Sequence, residues 1–108
     1  MSMRAMTDTP IDELLTTRWS PYCFADRPVS PSNLYAIFEA ARWAPSSYNE
    51  QSWSYLVATK EQPEDFARLL ACLVSGNQAW AQHAPVLALG IFHATFQRNG
   101  QPNPTAMH

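Results

Sequence analysis

Between Trp43 and Trp53 the chain reads Trp-Ala-Pro-Ser-Ser-Tyr-Asn-Glu-Gln-Ser-Trp. The hydroxyls of Ser46 and Ser47 and the primary amides of Asn49 and Gln51 can donate to and accept from the edge of a heteroaromatic ring. Pro45 and the flanking tryptophans add flat apolar surface. No nucleophilic dyad and no metal-ligand cluster occurs in the segment. Its chemistry is that of a loop that binds a planar, polar cofactor rather than one that attacks a substrate.

Two further places carry potential chemistry. Arg18 and Ser20 flank Trp19; a guanidinium is a planar fork of donors suited to bidentate phosphate binding, and the serine adds a hydroxyl. On residue chemistry alone the plainer reading prevails, a solvated arginine and a serine that ends a helix. Asn77 follows Gly76, where an asparagine commonly caps a helix. Cys23 and Cys72 form no CxxC pair and read as small buried thiols. His83, His93 and His108 have no ligand spacing with one another or with the cysteines, so no zinc site is expected. Trp43, Trp53 and Trp80 read as packing residues.

The elements that must position these groups follow from periodicity and punctuation. Thr9 and Pro10 read as the start of a first helix carrying Ile11, Leu14 and Leu15, which Pro21 bounds through its effect on the preceding residue. Ser30 and Pro31 start a second helix, with Leu34, Ile37, Phe38 and Ala41 on one stripe. After the loop, Tyr55–Thr59 is a short β-prone run. Pro63–Val74 reads as helix with Phe66, Leu69, Leu70 and Leu73 on one face, Gly76 as its stop, and a short helical piece over 77–83. Val86–Phe92 is continuously apolar, the pattern of a strand covered on both faces. Residues 95–108 are polar and rich in turn formers and read as a connecting tail. Two strands are fewer than a stable sheet needs, so the chain is expected to be completed by a longer polypeptide or by another copy.

Composition narrows the classes. With 7 Lys+Arg against 9 Asp+Glu the net charge is −2, which gives no electrostatic footprint for nucleic acid. The run 86–92 is too short to span a bilayer. Residues 1–10 hold one arginine and no apolar core of a secretory signal; neither nucleic acid nor membrane is expected as a partner, and the cytoplasm is the expected location.

The collinear order of three segments resembles the nitroreductase family. They are Arg18-Trp19-Ser20 with Phe24, then Pro28-Val29-Ser30 leading through Ala40-Ala41-Arg42-Trp43 to Pro45-Ser46-Ser47-Tyr48-Asn49-Glu50-Gln51-Ser52-Trp53, and Gly76-Asn77-Gln78-Ala79-Trp80 ahead of Ala84-Pro85. The similarity spans about residues 9–94, the N-terminal half of the family's domain. It implies an α+β fold, a helix-flanked β-sheet of the nitroreductase type that is incomplete in this chain. Residues 1–94 would be the half domain, and 95–108 the connection to the other half.

The resemblance also implies an FMN-dependent oxidoreductase in which hydride passes from NAD(P)H through the flavin to a nitroaromatic, quinone or related small-molecule acceptor. It implies a homodimer with the flavin at the interface. The cofactor-binding residues it implies are Arg18, Trp19 and Ser20 for the phosphate and ribityl chain, and Pro45, Ser46, Ser47, Asn49 and Gln51 for the ring. Asn77 would take the pyrimidine end; no catalytic or metal-binding residue is implied. The chain departs from the family pattern in three places: Ser52 where a proline often stands, Trp80 where some members have a lysine, and the bulk of Trp19. Two alternatives stay open, a flavin-free interaction or scaffold domain on the same fold and a specialised, dehalogenase-like flavin enzyme of the same superfamily.

Overall fold

The computed structural model describes residues 3–107, so His108 lies outside the described residues. In chain order the elements are α1 (Glu13–Thr17), α2 (Pro31–Arg42), a 3-10 turn (Ser47–Asn49), β1 (Trp53–Thr59), α3 (Pro63–Leu70), α4 (Ser75–Ala81) and β2 (Val86–Phe92). The α+β class expected from sequence holds.

α1, α2 and α3 each begin where a polar group or a proline can serve the free N–H groups. α1 starts later than Thr9-Pro10, because the Asp12 carboxylate accepts from Leu14 N–H at 2.9 Å and takes the cap. Asp and Thr are both good caps, and the first turn forms where the cap bond closes. It ends at Arg18, whose extended ψ of 130° turns the chain away. In α2, Ser30 Oγ accepts from Asn33 N–H at 3.2 Å and Pro31 occupies the first helical position, a place that needs no N–H donor. α3 also begins on a proline, with Glu64 and Asp65 in its first turn and Arg68 in its last, charges that complement the helix dipole.

Gly76 does not stop α3. That helix ends at Ala71, and Gly76 sits inside α4, whose N-cap is Val74. A glycine is a stop only when it takes the left-handed region, and here the next helix begins before such a turn is needed.

β1 and β2 pair antiparallel from Trp53 opposite Phe92 to Thr59 opposite Val86. Opposed residues share a face, so Trp53, Tyr55, Val57 and Thr59 line one face with Phe92, Gly90, Ala88 and Val86. α2 stands over this face, where Phe38 meets Tyr55 with ring centroids 5.2 Å apart. The contact is partial: a groove of about 480 Å³ runs between Leu34, Tyr35, Phe38, Val57 and Pro85. α3 lies against both strands, and Ala58, Phe66, Ala81 and Ala84 form the best closed part of the core.

The expectation that β2 is covered on both faces is not met among the described residues: from Ala88 to Phe92 the strand is exposed. Its apolar run is real, but the described elements cover it only in part, leaving Leu89, Ile91 and Phe92 37–45% exposed. The surface tells the same story. It amounts to 9044 Å², where a compact monomer of this mass exposes roughly 6,000 Å². The radius of gyration is 17.1 Å against about 13 Å for a compact chain of this length. Both cysteines are exposed rather than buried. Cys23 lies on an open connection and Cys72 just past α3, so burial of these small apolar residues was not required locally.

Residues 95–106 do not trail into solvent. Thr95 bridges Pro102, Phe96 N–H donates to Gln101 C=O, and Gly100 N–H returns to Phe96 C=O at 2.8 Å. Gly100 has φ 69°, a value glycine adopts without a Cβ clash. Phe96, Asn103 and Ala106 are buried. No helix among the described residues is long and apolar enough to cross a membrane.

Candidate functional site

The 43–53 loop is anchored at both ends. At its start Trp43 caps α2, and its indole Nε1–H donates to Glu39 Oε1 at 2.9 Å. Arg42 grips the same carboxylate through two nitrogens at 2.8 and 3.2 Å. These bonds, first from Arg42 and then from Trp43, hold the Glu39 carboxyl below its ordinary range. At the far end Trp53 opens β1.

Between these anchors the backbone takes an unusual path. Tyr48, Asn49 and Gln51 have φ of 55°, 52° and 51°. A left-handed conformation costs a residue with a Cβ roughly 1 kcal/mol or more, least for asparagine, whose short side chain tolerates it. Such a turn persists only if other bonds over-determine it. Ser46 C=O accepts from Asn49 N–H at 3.0 Å, Ser47 C=O from Glu50 N–H at 3.1 Å, and Ser46 Oγ from Gln51 N–H at 3.0 Å.

This arrangement decides what each side chain has left to offer. Ser46 and Ser47 are half-buried, while Pro45, Asn49 and Gln51 are exposed. Ser46 accepts from the backbone, and its hydroxyl hydrogen stays available for donation. The amides of Asn49 and Gln51 form no hydrogen bond to any other described residue, so their full donor and acceptor capacity faces outward. Pro45 lines a groove of about 400 Å³ with Ala41, Trp53, Tyr55 and Ile91.

The Arg18 segment lies beyond α1. Arg18 and Ser20 are exposed and Trp19 is half-buried; the Arg18 guanidinium pairs with no described carboxylate. Asn77 is the third residue of α4 rather than its cap, and its side-chain Oδ1 accepts from Trp80 Nε1–H at 3.3 Å. Trp80 in turn stacks on Phe24, centroids 6.2 Å apart and planes 21° apart. The Phe24–Trp80 contact therefore ties the segment after Ser20 to the helix of Asn77. Lys60 Nζ donates to Gln82 C=O and caps the same helix. None of the larger grooves among the described residues is lined by Arg18, the 46–51 turn or Asn77. No cluster of three or more metal-ligating side chains occurs among the described residues.

Reading the sequence alone missed the groups that hold the loop. The Glu50 carboxylate accepts from Gln97 N–H, 47 residues later. The Tyr48 ring meets buried Phe96 edge-on at 5.7 Å, and the Arg98 guanidinium lies 4.0 Å from the Tyr48 centroid. The one available signal was an aromatic, Phe96, inside an otherwise polar stretch.

Known proteins share this organisation. The nitroreductase family profile matches residues 15–102. A Streptomyces coelicolor protein named as an NADH dehydrogenase/NAD(P)H nitroreductase is 43% identical over 77 residues, which cover 70% of this chain and 37% of the relative. The nitrobenzene nitroreductase of Ectopseudomonas oleovorans is 43% identical over 75 residues, 69% of this chain and 32% of that protein. The Bacillus subtilis FMN reductase [NAD(P)H] is 36% identical over 85 residues, 78% of this chain and 31% of that one. A crystal structure described as an oxidoreductase containing FMN superposes with a TM-score of 0.81 at 38% identity, covering 95% of this chain and 52% of the other. The chain thus spans about a third to a half of the length of the proteins it matches. The match to the family profile runs through the Arg18 segment, the 43–53 loop and Asn77, and the solved neighbour shares the fold that carries them: the chain belongs to the nitroreductase family.

Proposed function

We propose that the chain forms part of an FMN-dependent NAD(P)H oxidoreductase, with the 43–53 loop contributing to the flavin site. The observation that carries this reading is the turn at Ser46–Gln51. It holds three non-glycine residues at positive φ, and it leaves the amides of Asn49 and Gln51 outward and uncommitted. Residues held in strained backbone conformations cluster at ligand-binding and active sites. The names of the Bacillus subtilis relative and of the solved neighbour, both of which mention FMN, support the choice of cofactor.

The residues present fit the group chemically. Asn49 and Gln51 would meet the ring's carbonyls and nitrogens, the Ser46 and Ser47 hydroxyls would add donors, and Pro45 would lie along the ring. Arg18 would hold the phosphate bidentately with Ser20, Trp19 would flank it, and Asn77 would use its free amide N–H at the pyrimidine end. FMN, when bound, supplies the two-electron carrier between NAD(P)H and a nitroaromatic, quinone or similar acceptor. The part of the chain's own residues is to bind, to orient and to exclude water, which accounts for a site without a nucleophile or general acid.

The partly exposed β2 and the excess surface support a site completed by surfaces other than those described. A homodimer with flavin at the interface meets that need, with residues 95–108 joining this half domain to the remainder. A cytoplasmic location agrees with the use of NAD(P)H. Arg18→Ala tests the assignment directly. In the purified full-length protein it is expected to weaken FMN binding about tenfold or more, the loss of a charge-assisted bidentate contact, with far-UV circular dichroism unchanged. Unchanged FMN affinity would remove Arg18 from the site.

A further inference from the structure

Seen from the loop, residues 95–103 are less a tail than a clamp. Their own turn is closed by the Thr95–Pro102 bridge and by the Phe96–Gln101 and Gly100–Phe96 backbone bonds. From it three groups reach back. Gln97 N–H donates to the Glu50 carboxylate, between Asn49 and Gln51. Phe96, 8% exposed, takes the edge-to-face contact with Tyr48. Arg98 spans both rings, 4.0 Å from the centroid of Tyr48 and 5.3 Å from that of Phe96.

Phe96 and Arg98 meet the strained residue Tyr48, and Gln97 holds Glu50, which sits at φ −64° between two strained neighbours. Tyr48 is the first at positive φ, Glu50 lies between the other two, and the loop's internal bonds run only from Ser46 and Ser47. Those internal bonds are short-range and solvent-accessible, the kind that open locally at little cost. The contacts from 96–98 are tertiary, and one of their partners is buried.

We propose that Glu50 and Arg98 are positioning residues: through Gln97 and Phe96 they lock the 46–51 turn in its left-handed form, so that Asn49 and Gln51 are presented in the geometry the flavin ring requires. The second half of this statement rests on the flavin reading given above; the first half, the lock itself, does not. Glu50 needs only an acceptor oxygen for Gln97 N–H, which an amide also supplies. Arg98 needs its planar cation over two rings, which lysine copies poorly.

The test uses the full-length protein and the variants Glu50→Ala, Glu50→Gln, Arg98→Ala and Arg98→Lys, each read in two ways. Amide hydrogen exchange at residues 48–51 reads the lock and needs no flavin. FMN titration, with the position of the bound flavin's visible absorption bands, reads the presentation. Expected are exchange at 48–51 at least tenfold faster in Glu50→Ala and Arg98→Ala, with exchange in β1 and β2 unaltered. FMN affinity should fall about tenfold with displaced absorption bands, and Glu50→Gln should restore both readouts while Arg98→Lys does not. Exchange at 48–51 unchanged in both alanine variants overturns the lock. Faster exchange with unchanged FMN affinity and spectrum overturns the positioning role. A wild-type protein that binds no FMN overturns the flavin reading and the positioning role together, while the exchange data still decide the lock.

Discussion

The two ends of β1 are held in opposite ways. Past Thr59 the chain turns through Lys60–Gln62 into α3, and Phe66 is buried within ten residues of the strand it helps to seal, with the Lys60 ammonium 4.3 Å from its ring centroid. Before Trp53 the chain passes through a turn with three left-handed residues, and what steadies it beyond its own short-range bonds comes from residues 96–98. One end is relaxed and built from neighbours in sequence. The other is strained and built from a distant segment. The contrast separates a scaffold, where local propensity and burial agree, from a site, where the backbone is held off its preferred path.

The largest effect expected from breaking that contrast lies at the relaxed end. Phe66→Ala removes the largest of the buried side chains Ala58, Phe66, Ala81 and Ala84, and truncation of a buried phenylalanine costs about 3–5 kcal/mol. Thermal or urea unfolding should show that loss; a change below about 1 kcal/mol would mean that this end is not the scaffold.

Gln51→Gly sharpens the comparison from the strained end. Gln51 is exposed with φ 51°, so glycine there should relieve up to about 1 kcal/mol of strain. Stability is expected to rise slightly in urea unfolding while FMN affinity falls, because the amide is gone. A loss of stability would show that the turn carries no strain at this position.

The smallest effect is a pH response at the loop's entry. Glu39 is held below its ordinary range by Arg42 and then by Trp43. Its folded pKa lies under its unfolded one, so its contribution is present above the unfolded value and is lost as pH falls through the lower, folded value. The pair is fully exposed, and the effect belongs to the last turn of α2 alone. The Trp43 indole N–H resonance, followed by NMR on lowering the pH, should move with a midpoint below that of an ordinary glutamate; a midpoint at or above it would deny Glu39 its partners.

How much of this was legible in sequence varied with the range of the forces involved. α2 formed where Ser30, Pro31 and the Leu34–Ala41 stripe placed it, and β2 at the apolar run itself, since caps and periodicity act within a few residues. Starts and stops that depend on which of several candidates wins, Asp12 over Thr9 and Ala71 over Gly76, were displaced by the local geometry that closed first. The loop's polar groups were visible as types, and so was their suitability for a flat ring. Their left-handed backbone was not, because Tyr48 and Gln51 have no intrinsic preference for it.

The sequence by itself determined the family, the order of the elements and the chemical repertoire of the 43–53 loop, all of which reside in residue type and spacing. Tertiary structure decided the rest: that β2 is only partly covered among the described residues, that Asn77 spends its oxygen on Trp80, and that Gln97 and Arg98 close on Glu50 and Tyr48 of the loop. The physical reason is that a contact 47 residues apart in the chain leaves no period and no local propensity behind. It exists only once the chain has brought Gln97 back to Glu50.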